Sequence, residues 1–337
     1  MIPGPFLLYI GDKRNPLDVK TSRGLATFRR ADCIGELRDA DCPVSLGLPR
    51  MDVREAAAKG ARSLVLGIAT SGGRMEEAMI PQVLAALDAG LDVVSGLHQH
   101  LASEPRIRER AETLGRQLID VRAAPVNLKV GTGAPRAGRR VLTVGTDCAV
   151  GKMYTSIHLA DALNASGVSA RFRATGQTGV LIAGEGVVID SVIADFISGA
   201  AEALSPARED DVWDVIEGQG SLFNPSFAGV SLGLLHGAQP QALVMCHDPA
   251  RPHMRGLPHM PVPDIAACIE ENLRCARLTS PHAEFVGISI NGSGLEPAAA
   301  RDLIARIESE LGLPCVDPVM TGMDAVVDRL LARFPAA

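Results

Sequence analysis

The sequence predicts an α/β protein built from two parallel-sheet domains, and three observations carry that reading. Apolar runs of strand length alternate with amphipathic stretches along most of the chain. The alternation breaks at 131–140, GTGAPRAGRR, which is rich in glycine, proline and arginine and has no apolar period. It then restarts with a strand running into a glycine-bounded loop, VGTDCAVGKMYTS at 144–156. A chain of 337 residues has room for two cores of ordinary size.

In the first half the strands expected are FLLYIG (6–11), SLVLGI (63–68), LDVVSG (91–96) and LIDV (118–121), separated by helical patterns such as MEEAMIPQVLAALDAG. Runs that are apolar throughout belong to a parallel sheet covered on both faces. Several end in glycine or small polar residues: Gly11 and Asp12, the ATSGG of 69–73, and the SGLH of 95–98. Ligands of open α/β sheets sit at such carboxyl ends, although any one glycine serves equally well to make a tight turn. The break at 131–140 reads as a linker, so the domains expected are 1–134 and 135–337. Beyond it come the strand RVLTVGT, a helix over about 151–166, the strands SARFRATG, GVVIDSV, VWDVIEG, ALVMCHD and EFVGISING, and helices near 296–311 and 323–334.

Composition narrows the function. Apolar residues make up 47% and charged residues 21%, the balance of a globular protein. A formal charge of −6 with only 3% aromatic residues argues against nucleic acid as a partner. Seven cysteines without a CxxC pair suggest neither a disulfide framework nor a zinc ribbon, and are expected to be reduced cytoplasmic thiols. The opening MIPGPFLLYIGDK lacks the basic start and the cleavage site of a signal peptide, so a first strand is expected there. No apolar run approaches the length of a membrane span. The expectation is a soluble cytoplasmic protein acting on a small molecule, a homodimer or higher homo-oligomer by default.

Gly145, Thr146, Asp147, Cys148, Ala149, Val150, Gly151 and Lys152 lie between a strand and a helix, the context a phosphate loop requires. Backbone N–H groups, the helix N-terminus and the lysine would all face an anion. The residue after the lysine, however, is Met153, where such loops usually carry the hydroxyl that holds magnesium. A thioether is too soft a donor for that ion. Thr155 lies roughly 200° around the helix from it, and Ser156 about a turn deeper, so neither is a clean replacement. The loop should hold phosphate without the metal that phosphoryl transfer needs, which suits a carrier whose phosphates are handles, such as coenzyme A. No metal is expected.

The segments GTDCAVGK, RATGQTG, IEGQGSL, GLDVVSGLH and DVR resemble a family long carried under a domain-of-unknown-function label, sometimes called NAD-dependent epimerase, whose members are described as D-glutamate N-acetyltransferases. The resemblance covers nearly the whole chain. It implies a Rossmann-like first domain, a phosphate-loop second domain, acetyl-coenzyme A as co-substrate, and an amino dicarboxylate as acceptor in D-amino-acid catabolism. The second half is also similar to dethiobiotin synthetase, which shares the GTD, the VGK and an acidic pattern like Glu217-Gly218, but has threonine where Met153 stands.

Acetyl transfer to an amine needs a held cofactor, a polarised thioester carbonyl and a group that removes a proton. Glu217, ending VWDVI, is the first candidate for that base and Asp190, ending GVVID, the second; a helix-capping acid is the plain alternative for each. Arg173, Thr175 and Gln177, where a strand gives way to a glycine turn, suit a substrate carboxylate, with an ordinary ion pair the alternative for Arg173. Gln219, Ser221 and His98 are expected as further substrate contacts, with an alternative base or a hydrogen-bonded structural histidine the other readings of His98. His247, His253 and His259 fit no common zinc spacing. Arg251, His253 and Arg255 instead form a basic loop suited to a cofactor phosphate or a substrate carboxylate, of which Arg251 is assigned to the cofactor; a solvated proline-rich loop is the plain alternative. Cys148 as an acyl carrier is unnecessary to a direct transfer. Three other readings stay open: a magnesium-ATP ligase or kinase, a nucleotide-binding switch without chemistry, and a dinucleotide oxidoreductase. The last is disfavoured because YIGDKRNP has a single glycine.

Overall fold

The computed structural model describes residues 2–123, 125 and 127–335. The chain divides into two compact units, one of residues 1–124 with 177–191 and one of 125–176 with 192–337.

The first unit begins with β1 (Phe6–Gly11), α1 (Lys20–Phe28), β2 (Cys33–Arg38), α2 (Val53–Ala58) and β3 (Ser63–Leu66). It continues through α3 (Ile80–Asp88), β4 (Asp92–Ser95), α4 (Pro105–Leu114) and β5 (Leu118–Asp120). All strand pairs are parallel, in the order β2-β1-β3-β4-β5, a doubly wound arrangement. Alternate residues explain why the strands read as unbroken apolar runs. Leu7, Tyr9, Leu64, Leu66 and Val93 enter one core, whereas Phe6, Leu8, Val65 and Val94 enter another on the opposite face. Local signals set the helix ends: Asp52 caps α2 through Glu55 N at 2.8 Å, and α4 has Pro105 in its first turn and left-handed Gly115 after its last. The carboxyl end of β3 is filled by its own chain. A side chain at Gly67 would lie 2.1 Å from Ser22 Oγ, and Ser22 N donates to Gly67 O at 3.0 Å.

The second unit is built on β6 (Arg139–Gly145), α5 (Lys152–Ala165) and β7 (Ala170–Arg173). The helix α6 (Gln177–Ala183) follows, but residues 177–191 belong to the first unit, where Leu181 is buried with Phe6, Leu8 and Leu25. The expected strand GVVIDSV is therefore absent: Ile189–Ser191 is a short 3-10 turn, and the buried Val188 before it and Ile189 within it serve packing and no sheet. The chain resumes with α7 (Ile197–Leu204), β8 (Trp213–Ile216), α8 (Ala228–Ala238) and β9 (Ala242–His247). Then come the hairpin β10 (His253–Met254) and β11 (Leu257–Pro261), α9 (Ile265–Ala276), β12 (Glu284–Ile290), α10 (Pro297–Leu311), β13 (Cys315–Val316) and α11 (Asp324–Arg333). The main sheet is parallel throughout, in the order β13-β12-β9-β6-β8-β7.

The stretch expected to be a linker is pinned to this unit. Thr132 N and Gly133 N each donate to Glu202 at 2.9 Å, and a side chain on Gly131 would meet Ser198 at 2.6 Å. Its last two residues, Arg139 and Arg140, already belong to β6. Because β6 sits between β8 and β9, the loop after β6 emerges where connections leave toward both edges, the position at which such sheets hold ligands.

Candidate active site

The loop after β6 is held from three sides. At its start, a side chain on Gly145 would meet Val150 at 2.8 Å and Lys152 Nζ at 3.1 Å, so only glycine lets the loop fold back this closely. At its end Gly151 has φ +104, and Ala149 adopts φ +53. Thr146 N donates to Cys246 O at 3.0 Å, and Thr146 Oγ1 shares a 3.0 Å hydrogen bond with His247 Nδ1. Ser221 Oγ donates to Thr146 O at 3.2 Å, a contact that ties the turn after β8 to the loop. That turn packs so closely that a side chain on Gly218 would lie 1.7 Å from Thr143 O. The crevice between Gly145 and residues 218–221 holds only about 10 Å³, less than one water needs.

Lys152 begins α5 and is 6% exposed. Its ammonium donates to Asp147 O and Gly220 O, both at 2.8 Å, which leaves one of three N–H donors for an anion. Burial pushes its pKa down, partly offset by Cys148, Cys246 and Asp147. The hydroxyls that follow are engaged. Thr155 Oγ1 bonds to Ser289 Oγ at 2.8 Å; Ser156 Oγ donates to Lys152 O at 2.9 Å and lies 3.0 Å from Thr143 Oγ1. Both are buried, so neither offers an oxygen to a metal beside Met153 without breaking a buried bond.

Glu217, directly after β8, is 4% exposed. Its Oε2 accepts from Thr175 N at 2.9 Å and Gly176 N at 3.0 Å, while Thr175 Oγ1 donates to Glu217 O. Gln219 Nε2 donates to Thr175 Oγ1 at 3.1 Å. Burial raises the Glu217 pKa, and the two backbone donors, Gln219 and Lys152 pull it back only in part. A carboxyl so placed holds its proton to higher pH than an exposed glutamic acid, the direction in which buried acids and bases of catalytic sites are shifted.

The remaining candidates divide. Thr175, Gln219 and Ser221 gather around Glu217 and the loop. Arg173 is turned onto buried Asp214, its Nε 2.7 Å from Oδ1, which is the ordinary ion pair. Arg251 is also engaged by protein, its NH1 3.2 Å from Asp147 Oδ2, its NH2 2.9 Å from Cys148 O, and its Nε 3.1 Å from Asp248 Oδ2. Asp190 and Gln177 belong to the first unit. There Arg122, which sequence reasoning missed, donates to the Asp190 carboxylate, to Gln177 Oε1 at 2.9 Å and to Gly96 O at 2.8 Å. His98 lies in the field of that pair; burial lowers its pKa, Arg122 lowers it further and Asp190 opposes. Its ring is packed so tightly on Gly73 that a side chain there would come within 2.4 Å. Asn224, also missed, donates to Asp147 Oδ1 at 2.8 Å. Only Arg122 had a sequence signal, as the charge ending LIDVR.

A cavity of about 650 Å³ lies at the other end of the strands, beside the starts of β6 and β8. Its arginines are paired there, Arg139 with Asp211, Arg208 with Asp210 and Arg333 with Glu284. Among the described residues no three His, Cys, Asp or Glu side chains gather as metal ligands, and no helix is long and apolar enough to cross a membrane.

A Rossmann-like unit and a parallel sheet with a phosphate loop place the chain in a two-domain α/β class. Residues 129–327 match the domain of unknown function DUF1611_C, described as a P-loop domain, and residues 36–124 match DUF1611_N, described as Rossmann-like; the chain belongs to this family. It is 47% identical over 329 residues to a D-glutamate N-acetyltransferase of Pseudoalteromonas sp., covering 98% of this chain and 99% of that one. A protein of the same name from Tritonibacter scottomollicae is 43% identical over 332 residues, covering 98% and 100%. The crystal structure of a DUF1611 family protein from Anabaena variabilis superposes with a TM-score of 0.90 at 34% identity, covering 98% of this chain and all of that one.

Proposed function

We propose that this chain, an acyltransferase by its full-length relatives, moves an acetyl group from acetyl-coenzyme A to the amino group of D-glutamate. The observation that carries the reading is a phosphate loop whose lysine is followed by Met153 and whose next two hydroxyls, Thr155 and Ser156, are locked in buried bonds. Such a loop fits a carrier gripped by its phosphates, and Gly145 and Gly218 let the loop and the turn after β8 pack closer than a side chain would allow. Loop N–H groups and the third N–H of Lys152 would hold the diphosphate. The acceptor amine, once neutral, attacks the thioester carbonyl; the C–N bond forms, the C–S bond breaks and the thiolate leaves. Glu217 takes the proton that the amine loses, with Thr175, Gln219 and Ser221 shaping its surroundings, and the thiolate is finally protonated from solvent. The acceptor and its configuration follow the names of the relatives. Seven cysteines that form no disulfide among the described residues support a reducing, cytoplasmic setting, and a homo-oligomer is the state we expect.

The test is free-thiol release from acetyl-coenzyme A with D-glutamate, L-glutamate or no acceptor, each with and without a chelator. D-glutamate-dependent release unaffected by chelation is expected. Hydrolysis of ATP that needs magnesium, with thioesters left intact, overturns the reading in favour of a ligase or kinase.

A further inference from the structure

Asp147 places a carboxylate inside a loop built for anions, and it is completely buried. Left unmatched, that charge would repel the phosphate which the loop exists to hold. It is answered from three directions. Asn224 Nδ2 meets Oδ1 at 2.8 Å, and Oδ2 accepts from Arg251 NH1 at 3.2 Å and from Arg255 N at 2.7 Å. Arg251 faces two carboxylates at once, Asp147 and Asp248, so it has no net charge to offer a ligand.

Arg255 differs. Only its backbone N–H is tied to the loop. It forms the turn of the β10–β11 hairpin with Gly256, whose φ of +76 lets the chain reverse there. Among the described residues its guanidinium makes no ion pair or hydrogen bond. An uncommitted guanidinium is thus tethered, through its own backbone, to the third residue of the phosphate loop.

We propose that Arg255 binds a second phosphate of the acyl carrier, the phosphomonoester that lies one ribose beyond the diphosphate. The proposal rests on acetyl-coenzyme A as donor and adds the residue that recognises its nucleotide end. A phosphomonoester carries close to two negative charges at neutral pH, and arginine matches its oxygens with paired N–H donors. Within the loop the charge of Lys152 is left for the diphosphate alone, because Asp147 and Asp248 face Arg251. The hairpin cation answers the remaining phosphate, and Asp147 is the positioning residue that sets the hairpin beside the loop.

The experiment compares acetyl-coenzyme A with its 3′-dephospho form by steady-state kinetics, and adenosine 3′,5′-bisphosphate with adenosine 5′-monophosphate by calorimetry. Wild type should prefer each 3′-phosphorylated ligand by about 10- to 100-fold, the range of a charge-assisted pair. In Arg255→Gln that ratio should fall to near one, with Arg255→Lys in between. In Asp147→Asn it should fall in part, because the side-chain amide keeps one acceptor but loses the charge. A wild type that does not discriminate, or an Arg255→Gln that discriminates as wild type does, overturns the proposal. If no thiol is released from either thioester the donor reading fails by itself, and the calorimetric ratio still decides what Arg255 binds.

Discussion

Lys152 and Glu217 are buried charges that burial pushes toward neutrality, the lysine down and the acid up. A group under such pressure is weak evidence for stability and stronger evidence for function. The folded chain holds the Glu217 proton to higher pH than the unfolded chain, whose value is near 4.5. The contribution of this group to stability is therefore fullest below that value and is lost as pH rises through the folded pKa. Glu217→Gln should remove that loss. Its melting temperature at pH 8 is expected to exceed wild type by about 2–4 °C, shrinking toward pH 4, while acetyl transfer falls by about 10²- to 10⁴-fold. A melting temperature that drops at pH 8 would make the carboxylate structural. Wild-type kcat/KM should rise with pH through the raised carboxyl pKa, a limb absent from the variant. Lys152→Met keeps the bulk and drops the charge; it should melt no lower than wild type yet lose calorimetric binding of acetyl-coenzyme A.

At the scale of elements, the edge that carries the candidate site depends on β6, β7 and β8 meeting in one register. Arg171 lies opposite Asp214 across β7 and β8, but it is Arg173 that Asp214 holds, and Ser205 Oγ donates to its other oxygen at 2.7 Å. Removing one partner of a buried pair leaves the other uncompensated. Asp214→Ala should cost about 3–5 kcal/mol, read as a lowered urea midpoint. Gly218→Ala forces a methyl carbon toward Thr143 O and should cost more than about 1–3 kcal/mol, since backbone and not a flexible side chain stands in the way. Most of these strands were legible, because apolar runs bounded by glycine are produced by burial on both faces. The strand expected over GVVIDSV was not formed: the same apolar run also suits a packed turn, and only long-range contacts choose between them.

Across the whole molecule, the chain does not fold as two consecutive pieces. Residues 177–191 leave the second unit's sequence and complete the first, with Thr178 Oγ1 2.8 Å from Thr21 Oγ1 and Arg29 NH1 donating to Leu181 O at 3.2 Å. A fragment ending at residue 124 should expose the site that Leu181 fills. It is expected to show a broad, low-temperature transition that sharpens when the 177–191 segment is fused or added as a peptide. A fragment as cooperative without that segment as with it would show the first unit to be self-sufficient.

The sequence by itself determined the α/β class, the two parallel sheets, the phosphate loop with its misplaced thioether, and the acid directly after β8. All are local: periodicity, glycine spacing and the residue after a lysine are written within a few positions of one another. Which charges remain free was decided only by the tertiary structure. Arg173 and Arg251 look in sequence like ligands for an anion, and Arg255 looks no different, but Asp214, Asp147 and Asp248 take the first two and leave the third. The availability of an arginine depends on carboxylates brought to it by other strands, and no spacing along the chain records where those will be.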